Sequence, residues 1–500
     1  MAEQLGGGGG GVPDLNLLPP EDGVQALPPA AAAEVDRISS LPEEARLHIL
    51  SFLPLKTVIA MERVSRRWRA LVSKPPKSWD SIIGIHIQPV PRSCPCPLRF
   101  HFPSQEEYAA PRGRLLCFIL HVQNARLRPA DFTLFVDYAD RRDVEDLHLA
   151  VDARSGAPAL SYNFQRASRS HHLVRLSLIG VRIDGIHHPG HQQQQGCFNS
   201  TLEVIGIENT SLDNLGLIGI LLSCTRLRVL VLRRCRGITS VDVTAASARL
   251  QSLTVADCPD VADISAGTAL GLRTFSYIGV YLRSVALPQT CFRALYICFR
   301  RIRVGSPIYN WLDGIPNLSN LTFLTVCSNT LRIVSLLRAA GNFEPQLAKL
   351  SDLQNLRELQ LLMNGMKTVM LSDMYGFLGT CRCSRLRKLF VELPKVGKDS
   401  FVNAVSELAD EPPMDVFGNL VMVKITNFKW QCNEIELVHF LFRKASSLQR
   451  LILVVAPGHA ETDQSGNPLY RDEKLLCSEK APVNAKIVIL TPVNAKITET

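Results

Sequence analysis

LRVLVLRRC (Leu227–Cys235) is followed 23 residues later by LQSLTVADC (Leu250–Cys258), and the two segments share apolar residues at their first, fourth and sixth positions and a cysteine at the ninth. The shared pattern is L-x-x-L-x-L with a thiol three residues on. Allowing Val, Ile, Phe or Tyr, it recurs upstream at Val144-Leu147-Leu149, Leu173-Leu176-Leu178 and Leu202-Ile205-Ile207. Downstream it recurs at Leu272-Phe275-Tyr277, Phe292-Leu295-Ile297, Leu321-Leu324-Val326 and Leu356-Leu359-Leu361, then at Leu386-Leu389-Val391, Leu420-Val423-Ile425 and Leu448-Leu451-Leu453. The twelve starts are 29, 29, 25, 23, 22, 20, 29, 35, 30, 34 and 28 residues apart. The L-x-L alternation places two apolar residues on one face of a short strand. One such unit cannot bury that face, whereas stacked units form a continuous core. Spacings of about 20–29 residues are those of leucine-rich repeats, and the longer ones imply inserted loops. Cys235, Cys258, Asn329 and Asn364 are expected to point inward and bond loop backbone.

The chain has 500 residues, 46% of them apolar and 20% charged, so most of it can bury a core. Its net charge of +9 is scattered rather than blocked, which argues for a solvated surface and against nucleic acid as a partner. Several of the fourteen cysteines, such as Cys224, Cys235, Cys258 and Cys327, lie inside apolar units, which suits reduced buried thiols. The glycine-rich start lacks the basic and apolar regions of a secretory signal, and no apolar run reaches about 18 residues, so no membrane association is expected.

Ahead of the repeats stands LPEEARLHILSFLPLKTVIAMERVSRRWRALV (Leu41–Val72). Ser40-Leu41-Pro42-Glu43 has the form of a capping box, with proline in the first helical turn. Pro54 ends the first helix, and Leu55–Val64 and Ser65–Val72 read as two more. Three short helices bury too little surface to be stable alone, which points to a partner or a docking surface. Residues 1–34, with Gly6–Gly11 and Ala30–Ala33, read as a disordered arm. The tail beyond Gly458 looks weakly structured and repeats PVNAKI at Pro482–Ile487 and Pro492–Ile497, either as extra strands or as a terminal extension.

Leu41, Pro42, Glu43, Ile49, Leu50, Leu53, Pro54, Val64, Ser65 and Trp68 resemble the F-box motif in order and spacing. With the repeats, the chain resembles plant F-box/leucine-rich-repeat proteins, and Val423–Leu453 resembles the FBD region that closes many of them. The resemblance implies an α/β chain: a three-helix F-box, then a solenoid whose curved parallel sheet carries helices or loops on its convex side. The corresponding segments are an arm (1–34), the F-box (36–80), a connecting segment with irregular first repeats (81–140), the solenoid (141–410), FBD-like terminal repeats (411–457) and an extension (458–500). It further implies a non-catalytic substrate receptor of an SCF-type ubiquitin ligase. Leu41, Pro42, Ile49, Leu50, Leu53, Pro54, Val64, Ser65 and Trp68 would then contact a Skp-type adaptor, which bridges to cullin and RING subunits in cytoplasm or nucleus. Arg228, Val231, Gln251 and Thr254, read as outward-facing strand residues, are candidates for binding the protein target.

No P-loop, G-x-S-x-G or H-E-x-x-H is present. His187, His188 and His191 lie in a polar loop without acidic or thiol partners, and Cys94/Cys96 and Cys381/Cys383 are C-x-C pairs, so neither metal nor cofactor is expected. Asp14-Leu15-Asn16-Leu17-Leu18-Pro19 fits a corepressor-recruiting motif, which leaves a ligase-independent scaffold as the alternative. A small-molecule receptor is a third possibility, because some plant relatives bind hormones in the solenoid.

Overall fold

The computed structural model divides into two compact units, Met1–Asp80 and Ser81–Thr500. It describes residues 82–87, 115–123, 127–152, 160–186, 200–246, 249–289, 292–301, 312–316, 318–341, 344–351, 353–363, 371–381, 383–394, 417–457, 461–462, 468–469 and 485–490, all in the second unit. The arm with its DLNLLP motif, all nine proposed adaptor contacts, the histidine loop, Cys94/Cys96, Asn364 and the second PVNAKI copy lie outside the described residues.

The second unit is built on one fifteen-stranded sheet whose strands follow chain order and pair in parallel. They are β1 (Ile82–Ile87), β2 (Cys117–Gln123), β3 (Asp146–Asp152), β4 (Arg175–Ile179), β5 (Val204–Glu208), β6 (Val229–Arg233), β7 (Ser252–Ala256) and β8 (Thr274–Val280). The series continues with β9 (Ala294–Arg301), β10 (Phe323–Cys327), β11 (Glu358–Leu362), β12 (Lys388–Glu392), β13 (Met422–Phe428), β14 (Arg450–Val455) and β15 (Lys486–Leu490). Each of the twelve L-x-x-L-x-L units carries one strand, β3 to β14.

Register explains why the motif is periodic. Leu230 pairs with Ile205 on one side and Leu253 on the other, and Leu232 pairs with Ile207 and Val255. The same two rows continue through Leu359–Leu389–Val423–Leu451 and Leu361–Val391–Ile425–Leu453. The first residue of every unit, from Val144 to Leu448, is also buried. A fully buried leucine contributes about 2 kcal/mol relative to an exposed one, and here three residues of each unit share one continuous core.

Spacing decides what stands behind the sheet. The three tightest units, 23, 22 and 20 residues long, are backed by the short strands Ser240–Asp242, Asp263–Ser265 and Ser284–Ala286, which form a parallel sheet of their own. Longer units have room for helices. These are α1 (Pro129–Arg141), α2 (Phe164–Arg169), α3 (Asn214–Ser223), α4 (Ser328–Ala340), α5 (Glu344–Ser351), α6 (Leu371–Thr380) and α7 (Cys432–Lys444). The extra length in these units is therefore partly helical rather than all loop. Local signals set the helix ends: Pro129 starts α1, the Asp213 side chain accepts from Gly216 N at 2.7 Å before α3, and Gly341 (φ 69°) closes α4. α7 has a capping box in which Gln431 is the N-cap and Glu434 the reciprocal acceptor.

Four consecutive strands, β4 to β7, exit through a left-handed residue: Gly180, Asn209, Arg234 and Asp257, with φ between 51° and 66°. Each donates its N–H to the last or a late carbonyl of the next strand, at Glu208, Arg233, Ala256 and Ile278. The following residue then turns inward. The Cys235 thiol donates to Ile207 O at 3.4 Å and the Cys258 thiol to Leu232 O at 3.8 Å, and at the start of α4 Asn329 Nδ2 donates to Phe299 O at 2.6 Å; these residues turn inward as expected, but onto carbonyls of the preceding strands β5, β6 and β9 rather than onto loop backbone.

Three strands lie outside the twelve motif units. β1 and β2 fall in the segment read as connecting and irregular; β1 lacks the leading leucine, whereas β2 has the full spacing in Leu115-Phe118-Leu120, whose last two residues pair with Leu147 and Leu149. β15 lies in the tail read as weakly structured. The first PVNAKI copy runs into it, and Lys486–Leu490 pairs with Arg450–Val454 to extend the sheet.

Candidate functional site

Alternation along each strand sends one set of side chains into the core and the other to the opposite, outward face. In register order the middle outward row reads His148, Ser177, Gly206, Val231, Thr254, Ser276 and Tyr296, then Thr325, Gln360, Phe390, Lys424 and Ile452. The row is small through β4–β8 and, apart from Thr325, bulkier beyond. Burial holds the His148 imidazole below its ordinary pKa; Asp146 opposes this and His121 adds to it. Burial also pushes the Tyr296 hydroxyl up to about 12, so it remains a hydrogen-bond donor at neutral pH.

The structure brings the four candidate target contacts together. Val231 and Thr254 are direct cross-strand partners in the middle row. Arg228 and Gln251 differ from the expectation: they are not strand residues but lie one position before β6 and β7, on the leading edge of the sheet. There Gln251 N donates to Arg228 O at 2.8 Å, and Arg228 N to Glu203 O at 2.8 Å. The Arg228 guanidinium bridges Glu203 Oε2 at 3.3 Å and Gln251 Oε1 at 3.1 Å. With half its side chain exposed, the ion pair is worth about 0–1 kcal/mol and mainly fixes orientation.

Other arginines on this half of the sheet are likewise matched by carboxylates: Arg175 with Asp146 at 2.9 Å, Arg234 with Glu208, and Arg300 with Asp257 at 2.8 Å. The far half differs. Arg357, Arg385, Arg387, Lys388, Arg450 and Lys486 gather along its leading edge, with Glu358 among them as the cross-strand partner of Lys388. Sequence reading missed this group because the cations are about thirty residues apart and look scattered. A signal was nevertheless present, since Arg357 and Arg387 both directly follow the first leucine of their units, as Arg228 does.

Among the described residues, no group of three or more His, Cys, Asp or Glu side chains is placed to hold a metal ion. Cys381 and Cys383 are buried free thiols against the core. No described helix is long and apolar enough to cross a membrane.

Comparison with known families yields two matches. Residues 38–83 match the F-box-like family, a range that contains all nine proposed adaptor contacts. Residues 143–498 match the family described as the At1g61320/AtMIF1 LRR domain, a range that spans β3–β15 in full. No curated protein matches the chain. The parallel sheet built on L-x-x-L-x-L units and the two family matches agree: this chain is an F-box/leucine-rich-repeat protein and belongs to the At1g61320/AtMIF1 LRR domain family.

Proposed function

We propose that the chain is the substrate-receptor subunit of an SCF-type ubiquitin ligase. The observation that carries this reading is the presence, on one chain, of an F-box-like segment and a long repeat sheet whose outward row mixes polar and apolar side chains. In this role the F-box docks on a Skp-type adaptor through Leu41, Pro42, Ile49, Leu50, Leu53, Pro54, Val64, Ser65 and Trp68, and the adaptor joins it to cullin and RING subunits. The outward face, with Arg228, Val231, Gln251 and Thr254 near its centre, holds the target protein. The receptor performs no bond chemistry. It raises the effective concentration of a target lysine at the ubiquitin-loaded E2, replacing a diffusional encounter with a tethered one.

Cytoplasm or nucleus is the compartment this role requires. The FBD-like reading of Val423–Leu453 fits the same scheme, because β13, α7 and β14 form a strand–helix–strand unit that continues the sheet.

The test is a pull-down with purified Skp-type adaptor, comparing the wild-type chain with a Leu41→Ala/Pro42→Ala double variant. Capture of the wild type and its loss in the variant is the expected result. A folded wild-type chain that does not bind the adaptor would overturn the ligase reading.

A further inference from the structure

Two thiols stand side by side across β9 and β10. The register of these strands pairs Tyr296 with Thr325 and Ile297 with Val326, so the next position sets Cys298 beside Cys327. Neighbouring strands lie about 4.8 Å apart, within the Cα separation of about 4.4–6.8 Å that a disulfide spans. The two thiols already share a hydrogen bond. Alternation places Cys298 on the outward face, where it is half-buried, and Cys327 lies behind it, buried.

The position of Cys327 favours a thiolate. It ends β10 and is the N-cap of α4, so its sulfur lies against the N–H groups of Asn329 and Thr330, and the Thr330 hydroxyl is 3.4 Å away. The hydrogen bond from Cys298, helped by Thr330 and Asn329, holds the Cys327 thiol below its ordinary pKa against the opposing effect of burial. The same bond, together with burial, holds the Cys298 thiol above its own. α4 is also tied to β9 at this point, because Thr330 Oγ1 donates to Ile297 O at 3.2 Å and Asn329 Nδ2 to Phe299 O at 2.6 Å. Closing a bond between the sulfurs therefore asks little of the backbone.

Other close thiol pairs differ in access. Cys235 and Cys258 interact where β6 and β7 exit, and Cys381 and Cys383 along one segment, but all four are buried in the core. Among the described residues, the Cys298–Cys327 pair alone combines direct thiol contact with a half-exposed member.

We propose that Cys298 and Cys327 form a reversible oxidation site that hydrogen peroxide closes to a disulfide. The Cys327 thiolate attacks a peroxide oxygen; an S–O bond forms as the O–O bond breaks, giving a sulfenic acid and hydroxide. The Cys298 thiol then attacks the sulfenyl sulfur, and its proton leaves with the hydroxyl as water. With the proton that Cys327 releases at the outset, two thiols and one hydrogen peroxide give one disulfide and two waters. The peroxide gains the two electrons that the sulfurs lose, and a thiol reductant reverses the bond. The disulfide would stitch β9 to the start of α4 on the outward face, two residues beyond Tyr296 of the middle row. The site does not depend on the receptor reading.

The experiment treats the full chain, reduced and then freed of reductant, with hydrogen peroxide. Remaining thiols are alkylated and tryptic peptides are mapped by mass spectrometry. Cys298 falls in Ala294–Arg300 and Cys327 in Val304–Arg332, each as the sole cysteine of its peptide. The linked peptides should appear at least tenfold faster than oxidation of the exposed Cys432, and dithiothreitol should remove the link. In urea the preference should vanish, because register no longer sets the thiols side by side. Cys298→Ser should leave Cys327 as a sulfenic acid that a 1,3-diketone probe captures, whereas Cys327→Ser should leave Cys298 uncaptured. The wild-type map needs no variant, so a poorly folded substitution does not blunt the test.

Oxidation first at Cys432, a Cys298–Cys327 link no faster than other cysteine pairings, or the same preference in urea would each overturn the proposal. Capture at Cys298 in Cys327→Ser would do so too, by removing Cys327 as the attacking thiol.

Discussion

Gly180→Ala should loosen the sheet where β4 hands over to β5. Gly180 has φ 66°, and an added Cβ would stand 2.1 Å from Val151 O, on the neighbouring strand β3. The left-handed backbone costs alanine about 1 kcal/mol. Moving the strand exit by the roughly 1 Å needed to relieve the clash breaks the Gly180 N–Glu208 O hydrogen bond of 2.8 Å. That loses about 1 kcal/mol net, and the half-buried groups left unpaired add about 1 kcal/mol more. The sum is about 3 kcal/mol, or roughly 150-fold in a local opening equilibrium at 1.36 kcal/mol per decade. Hydrogen exchange read by mass spectrometry over β4 and β5 measures this directly, since opening in a repeat array is local. Gly267→Ala is the control: no atom lies within 4 Å of its added Cβ. A loss of protection below about fivefold for Gly180→Ala would refute the close approach of the two strands.

Two further outcomes are expected. Glu434 is buried and its Oε2 accepts from Lys429 N at 2.6 Å and Gln431 N at 3.3 Å, so Glu434→Ala should cost about 2–3 kcal/mol, whereas Glu434→Gln, which keeps an acceptor, should cost less than half of that; thermal midpoints of the two variants decide, and equal losses would argue against the capping role. Burial pushes the Cys224 thiol up to about 12 and the Cys117 thiol up to about 11, so their contribution is complete below pH 9, the unfolded value, and is lost as pH rises through 11–12. Midpoints measured at pH 7.5, 9 and 10.5 should fall across the last interval, and less steeply in Cys224→Ala; a slope unchanged by that substitution would count against the burial argument.

The core of this protein was legible in its sequence because every unit repeats the same burial problem. Leu230 and Leu253 had to face the same way for either to be covered, and their register partnership follows. β1 was not legible as a unit: IIGIHI is apolar enough for a strand but lacks the spaced leading leucine that marks the others. β2 carries that spacing in Leu115-Phe118-Leu120, 29 residues before Val144, and the count of twelve units missed it. The left-handed exits were half visible: glycine, asparagine and aspartate favour that conformation, but Arg234 adopts it only because its neighbours impose the turn. The cationic group on the leading edge was hidden for a different reason. Arg357 and Arg387 become neighbours only when strands align, and exposed positions carry no apolar period to announce the alignment. For the F-box residues, sequence and family match remain the basis of the reading, since they lie outside the described residues.

The strict chain order of the fifteen strands has a consequence for how binding preference can change. Each outward row takes one residue from each strand, while the adjoining inner residues stay with the core. A partner lying across the row is thus read one side chain per unit. Exchanging Thr254, or a whole 22-residue unit around it, rewrites a single position of that reading and leaves the others in place. Selectivity and folding are therefore carried by alternate residues of the same strands, and either can drift without dragging the other along.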